Sequence, residues 1–337
     1  MEDYICAESL FKYCGLKAVV KDVSLNVRKG EVVAFLGPNG AGKTTTMRML
    51  SGYLKPSSGF VSICGCDMLK DRLLASQHVG YLPEGCPLYH EVTPLHFLKF
   101  VGKIRGLSGI RFRNRLDFVV ERLRLESVLG RTIGQLSKGF QHRVALAQAI
   151  LHDPEVLILD EPTDGLDPLQ KYEVRGLIRD IAPDKGILIS THMLDEAEML
   201  AHRVVLIGNG IVHADDFLHN LLKQDSSNNA VFLEVAGVTC AILTKELQTL
   251  SSVLQVVPCA GLESGEGSFS VTVYPVNSQN SIVREVSNFI NDKGWELHHV
   301  TVLSGSLANV FNKIVTHNAD FGMVSTSVLD SATENKA

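Results

Sequence analysis

The sequence predicts an α/β core followed by a smaller α+β domain. Three observations carry this expectation. Continuous apolar runs alternate with helix-period stretches over the first two thirds of the chain. A glycine-rich loop stands between one such run and a helical pattern. Near residue 213 the character changes to alternating strands and amphipathic helices.

Val23 to Val27 alternates like an antiparallel strand with one wet face. Val32 to Leu36 and Val156 to Leu159 are apolar throughout, and Ile187 to Ser190 is apolar up to its last residue, as expected of strands buried on both faces. Phe140 to Leu151 has helical spacing through Val144, Ala147 and Ile150. Val204 to Ile207 and Ile211 to His213 flank Gly208-Asn209-Gly210, a hairpin signal. A short helix is expected over Asp215 to Gln224, then a linker, Asp225-Ser226-Ser227-Asn228-Asn229. Strands follow at Val231 to Val235, Phe269 to Tyr274 and Trp295 to Leu303, with helices at Ile282 to Asn291 and Leu307 to Val315. The expected domains are 1–224 and 225–317, with a frayed polar tail at 318–337.

With 337 residues, 45% of them hydrophobic, the chain can bury two cores. Lys and Arg number 32 against 37 Asp and Glu, a net charge of −5, so no nucleic-acid partner is expected. Seven scattered cysteines predict reduced thiols, and Cys64-Gly65-Cys66 lacks a second pair at metal-ligand spacing. Met1-Glu2-Asp3-Tyr4 does not resemble a signal peptide. No apolar run approaches the ~20 residues that span a bilayer. A cytoplasmic location is the expectation.

The strongest motif is Gly37-Pro38-Asn39-Gly40-Ala41-Gly42-Lys43-Thr44. Glycines let the backbone curl so that successive N–H groups face phosphate oxygens, and the following helix adds its positive end. Lys43 brings a cation to the β/γ-phosphates, and the Thr44 hydroxyl suits Mg²⁺. Such a loop needs an acidic partner. Asp160 and Glu161 end a buried strand, the edge where open α/β sheets bind ligands. Asp160 is expected to hold Mg²⁺, and Glu161 to position and polarise the attacking water.

Gln135-Leu136-Ser137-Lys138-Gly139-Phe140-Gln141 resembles the signature of the ABC transporter ATPases. Asp160 to Asp167 is similar to that family's acidic motif and D-loop, and Ser190-Thr191-His192 to its switch histidine. Tyr13 stands where the family stacks an aromatic on adenine, with Phe11 a nearby alternative. Tyr81-Leu82-Pro83-Glu84 stands at its Q-loop. The order of motifs matches from residue 4 to about 213.

The resemblance implies a P-loop NTPase core of ABC ATPase type with a helical subdomain. It implies ATP and Mg²⁺ as ligands, and a homodimer, or a pair with another ABC ATPase subunit, that sandwiches nucleotide. Ser137 and Gly139 would then face the γ-phosphate from the opposite subunit, and Asp167 would sense the opposite site or cap a helix. Thr45 completes the phosphate loop, His192 supports Glu161, and Glu84 is a metal ligand with a catalytic part or an exposed loop acid. Lys138 and Phe140 depart from the family's common glycine and glutamine.

The C-terminal region resembles the appendage of ABC-2-type exporter ATPases, including the gliding-motility type. The implied activity is ATP hydrolysis that powers export through a separate integral membrane permease of ABC-2 type, with this chain peripheral on the inner face of the membrane. An importer ATPase with a regulatory C-terminal domain and a non-transport ABC ATPase are the alternatives. The segment from about Glu84 to Leu116, with Tyr89, Phe97 and Phe100 read as exposed aromatics, is expected to meet the permease. Arg105, Arg111, Arg113 and Arg115 are expected to form a solvated face or part of that contact.

Overall fold

The structure is a computed structural model that describes residues 3–259 and 268–317. The expected tail, 318–337, lies outside the described residues. The chain divides after Asp216 into two units, each with its own core.

The first unit begins with β1 (Asp3–Cys14), β2 (Lys17–Arg28), β3 (Val32–Leu36), α1 (Lys43–Leu50), β4 (Ser58–Ile63) and β5 (Cys66–Asp67). Next come α2 (Arg72–Gln77), β6 (Val79–Leu82), α3 (Pro94–Ile104), α4 (Gly109–Arg122) and α5 (Lys138–Ile150). It continues with β7 (Val156–Asp160), α6 (Pro168–Ile181), β8 (Gly186–Thr191), α7 (Leu194–Leu200), β9 (Arg203–Gly208) and β10 (Ile211–Phe217), which reaches the boundary.

One sheet has the order β10-β9-β3-β8-β7-β6, and β3, β6, β7, β8 and β9 pair in parallel. Both faces of these strands are covered, so β3, β7 and β8 are buried along their whole length. A second, antiparallel sheet has the order β2-β1-β4-β5. Met47, Met49 and Leu50 of α1 share one core with Ile5, Val27, Phe35 and Leu188 from the two sheets. β1 carried no clear sequence signal, because irregular register between Ala7 and Leu10 and a left-handed Ser9 (φ 47°) break its alternation.

The hairpin expected at Gly208-Asn209-Gly210 is present, with Asn209 and Gly210 at φ 48° and 81°. β10 then runs to Phe217, whereas the sequence predicts helix from Asp215. The cause is Arg203, whose Nε donates to Asp215 Oδ1 at 2.6 Å while Nη1 donates to Glu31 Oε1 at 3.1 Å. That pairing holds Asp215 extended.

The second unit holds α8 (Leu218–Lys223), β11 (Val231–Ala236), α9 (Cys240–Leu247), β12 (Val253–Pro258), β13 (Ser268–Pro275), α10 (Val283–Asp292), β14 (Glu296–Val302) and α11 (Leu307–His317). Its sheet has the order β12-β13-β11-β14 and is antiparallel throughout. A βαββαβ chain in that order is the ferredoxin-like arrangement. Leu243, Leu247, Val286 and Ile290 of α9 and α10 pack on Val231, Leu233, Val235, Val271 and Val273.

Asp225 to Asn229, read from composition as a linker, is a bonded turn of this unit. The buried Asp225 carboxylate accepts from the Ser227 hydroxyl, from the N–H of Ser306 at 2.8 Å and from Asn309 Nδ2 at 3.0 Å, and these bonds, Ser227 foremost, hold its pKa down against burial. Asn228 and Asn229 both donate to the Ser278 carbonyl, at 2.6 and 2.8 Å. Polar composition does not distinguish groups satisfied by water from groups satisfied internally. Among the described residues no helix is long and apolar enough to cross a membrane.

Candidate functional site

The glycine-rich loop joins β3 to α1. A Cβ at Gly37 would lie 2.2 Å from the Ile207 carbonyl oxygen, and one at Gly42 (φ 105°) 2.9 Å from that of Val19. Only glycine fits either place. Pro38, Asn39, Gly40 and Ala41 form the curl between them, closed by Ala41 N–H on the Pro38 carbonyl at 3.2 Å and Gly210 N–H on the Ala41 carbonyl at 2.9 Å. The first N–H groups of α1, which carries Lys43, Thr44 and Thr45, have no acceptor within the helix. Lys43 is 6% exposed. Its Nζ donates to the carbonyls of Gly37 (2.7 Å) and Pro38 (3.2 Å) and lies 3.5 Å from Glu161 Oε1.

β7 delivers the two expected acids. Asp160 is 1% exposed. Ser190 Oγ donates to Asp160 Oδ1 at 2.5 Å, and Thr44 Oγ1 lies 3.3 Å from both Asp160 Oδ1 and Glu84 Oε2. Asp160 Oδ2 is buried without a partner. Burial pushes the Asp160 carboxyl up, against the hydrogen bonds from Ser190 and Thr44. Three hard oxygen donors beside an orphaned carboxylate oxygen fit a divalent cation such as Mg²⁺.

Glu161 takes a left-handed backbone, φ 50°, and its N–H donates to Ser190 Oγ at 2.9 Å. That turn separates its side chain from that of Asp160. Glu161 Oε2 lies 3.0 Å from His192 Nδ1, and this hydrogen bond raises the His192 pKa against its burial. In the sequence Ser190 reads as the end of a strand and as part of the His192 motif, with no role of its own. The signal that marks it is a hydroxyl at the C-terminal end of an otherwise apolar run.

The other candidates fall around this centre. Ser137 caps α5, accepting from the Phe140 N–H at 3.4 Å, and Gly139 is buried where a Cβ would meet Gln170 of α6. Asp167 caps α6 through the Gln170 N–H at 2.8 Å, which is its helix-capping alternative. Lys138 lines a cleft of about 340 Å³ with Glu84, Cys86, Asp160, Glu161 and Asp164. Tyr13 is half exposed at the end of β1, opposite Ala18, and the neighbouring Val19 carbonyl packs on Gly42. Phe11, the alternative, is less exposed.

Two sequence readings require correction. Phe97 is 7% exposed and packs edge-on to Tyr89 at 6.1 Å, so only Tyr89 and Phe100 are exposed. Arg105 and Arg115 do not form a solvated face. Arg105 Nη1 donates to the Ser76 carbonyl at 2.6 Å. Arg115 donates to the carbonyls of Ile150 (2.8 Å) and Leu151 (3.1 Å), closing the C-terminal end of α5. Arg111 and Arg113 remain exposed.

A parallel sheet with this loop and these paired acids defines a phosphate-loop nucleotide hydrolase. A family model described as ABC transporter matches residues 20–164. The chain is 40% identical over 221 residues to the uncharacterized ABC transporter ATP-binding protein YxlF of Bacillus subtilis, covering 66% of this chain and 73% of that one. It is 40% identical over 240 residues to the Nod factor export ATP-binding protein I of Paraburkholderia xenovorans, covering 71% of this chain and 78% of that one. A solved ATP-binding subunit of an ABC transporter superposes with a TM-score of 0.62 at 32% identity, over 66% of this chain and 92% of that one. The dimeric bacterial cassette MJ0796 superposes at 0.59 with 26% identity, over 64% and 98%. The chain belongs to the ATP-binding proteins of ABC transporters, whose cassettes hydrolyse ATP to ADP and phosphate.

Proposed function

We propose that this chain is the ATP-hydrolysing subunit of an exporter and drives a separate membrane permease of ABC-2 type. The observation that supports the catalytic part is the Glu161 carboxylate, held by Lys43 on one oxygen and His192 on the other. In this reading the N–H groups from Gly37 to Thr45 and the Lys43 ammonium bind the phosphates. Glu161 accepts a hydrogen bond from the attacking water and polarises it, while His192 orients Glu161 and reaches the γ-phosphate. Thr44, Asp160 and Glu84 would hold Mg²⁺, which offsets phosphate charge when bound. Tyr13 stacks on adenine.

Two copies pair head to tail, so that Ser137 and Gly139 of one face the γ-phosphate held by the other, with Asp167 near both sites. The dimeric MJ0796 relative supports this pairing. The Nod factor export relative supports export. The permease contact is assigned to the segment from Glu84 to Leu116, where Tyr89 and Phe100 are 62% and 52% exposed. This contact keeps the chain on the inner face of the membrane.

Glu161→Gln tests the catalytic reading: it should bind ATP, stop turnover and accumulate an ATP-bound dimer by light scattering. Full turnover removes Glu161 from the role. For the transport reading, a cysteine at Tyr89 in native membranes should crosslink to an integral membrane protein. Crosslinks to soluble partners alone overturn it.

A further inference from the structure

Glu161 holds a left-handed backbone, strained for a residue with a side chain, that persists only where neighbours over-determine it. One restraint is the Ser190 hydroxyl on its N–H. The second lies on the other side of the residue, at the carbonyl of Pro162. His142 of α5 is 8% exposed, and its Nε2 lies 2.5 Å from that oxygen. A carbonyl cannot donate, so Nε2 carries the proton. In the neutral ring Nδ1 is then an acceptor. Cys86 Sγ lies 3.4 Å from Nδ1, and its thiol is the donor. Burial favours the neutral form of both groups, lowering the His142 pKa and raising the Cys86 thiol to about 11.

These bonds join three segments distant in sequence. Cys86 lies two residues beyond Glu84 on the loop after β6, His142 on α5, and Pro162 directly after Glu161. We propose that His142 is a positioning residue: its Nε2–H holds the peptide that follows Pro162, one residue beyond Glu161, and its Nδ1 ties that peptide through Cys86 to the loop bearing Glu84. The inference rests on the proposed role of Glu161. Its consequence is that α5 and both acid-bearing loops move as a linked set, so displacement of α5 changes the aim of the Glu161 carboxylate without touching the phosphate loop.

The test compares two substitutions of similar length in the full chain. His142→Gln keeps an N–H donor near the Nε2 position, and His142→Met removes it. His142→Met should lower kcat ~10-fold, the effect of one lost hydrogen bond on the barrier, and change the KM for ATP by less than ~2-fold. His142→Gln should stay within ~3-fold of the parent kcat. His142→Asn, whose amide is too short to reach Pro162, should follow His142→Met. Adding Cys86→Ala to His142→Met should cost nothing further, as expected of one relay.

Titrating bound ATP counts competent sites, which separates loss of folded protein from loss of rate. Parent kcat in both His142→Met and His142→Asn overturns the inference, as does an equal loss in His142→Gln and His142→Met. Glu161→Gln, measured in parallel, keeps the two readings apart. Full turnover there removes the catalytic role itself, whereas a dead Glu161→Gln beside a fully active His142→Met removes only the positioning.

Discussion

His192 Nδ1 lies 3.0 Å from one oxygen of Glu161, and Lys43 Nζ lies 3.5 Å from the other. One carboxylate thus spans the phosphate loop and the end of β8. The two partners have separable tasks. Lys43→Ala should abolish binding of a fluorescent ATP analogue, because it removes the ammonium cradled by the loop carbonyls of Gly37 and Pro38. Parent-like affinity in Lys43→Ala would contradict the phosphate-binding role.

Glu84 Oε2 shares the Thr44 hydroxyl with Asp160. A carboxylate there binds a hard cation more strongly than an amide does. Glu84→Gln should still hydrolyse ATP but need more Mg²⁺ for half-maximal rate at saturating ATP. Superimposable Mg²⁺ titrations of the two proteins would assign Glu84 to an ordinary loop acid.

The Ser190 hydroxyl accepts from the Glu161 N–H and donates to Asp160, so one oxygen fixes both acids. Ser190→Ala leaves a buried N–H and a buried carboxylate oxygen each one bond short. We expect kcat to fall by ~10- to 100-fold, corresponding to roughly 1–3 kcal/mol, with ATP affinity largely kept. Steady-state kinetics beside a binding isotherm check both halves.

His152 sits buried after α5, with Nε2 3.1 Å from the Val79 carbonyl, and burial lowers its pKa to about 4. Above pH ~6.5 the ring is neutral folded and unfolded. Between there and the folded value the unfolded chain takes up a proton that the folded chain does not, so stability falls as pH falls. The full window corresponds to roughly 3 kcal/mol. Urea midpoints measured from pH 7.5 to 5 should decline less in His152→Gln, which does not titrate. Parallel declines would assign the effect to other groups.

The second unit has its own core, and the residues of the candidate site all lie in the first. A chain ending at Asp216 should therefore retain ATP binding. The cut belongs there and not after residue 224, because α8 is part of the second unit. Loss of nucleotide affinity in a well-folded truncation would give the second unit a part in the site.

The sequence by itself determined the local strand–loop–helix unit around Gly37 to Thr45, the acids at the end of β7 and the order of the motifs. Each is set by residues within one or two turns or one strand, where periodicity, glycine and side-chain chemistry act directly. Only the tertiary structure decided what those pieces touch. Thr44 meets Glu84 and Asp160 across 40 and 116 residues of chain. Arg115 became an anchor for α5 and Asp225 a bonded turn, although their types equally suit a wet surface, and of three nearby aromatics Phe97 became the buried ring. His142 likewise carries no mark in the sequence of the carbonyl it holds. A hydrogen bond depends on atoms brought within about 3 Å, and long-range packing of helices on the sheet fixes that distance, not the neighbours along the chain.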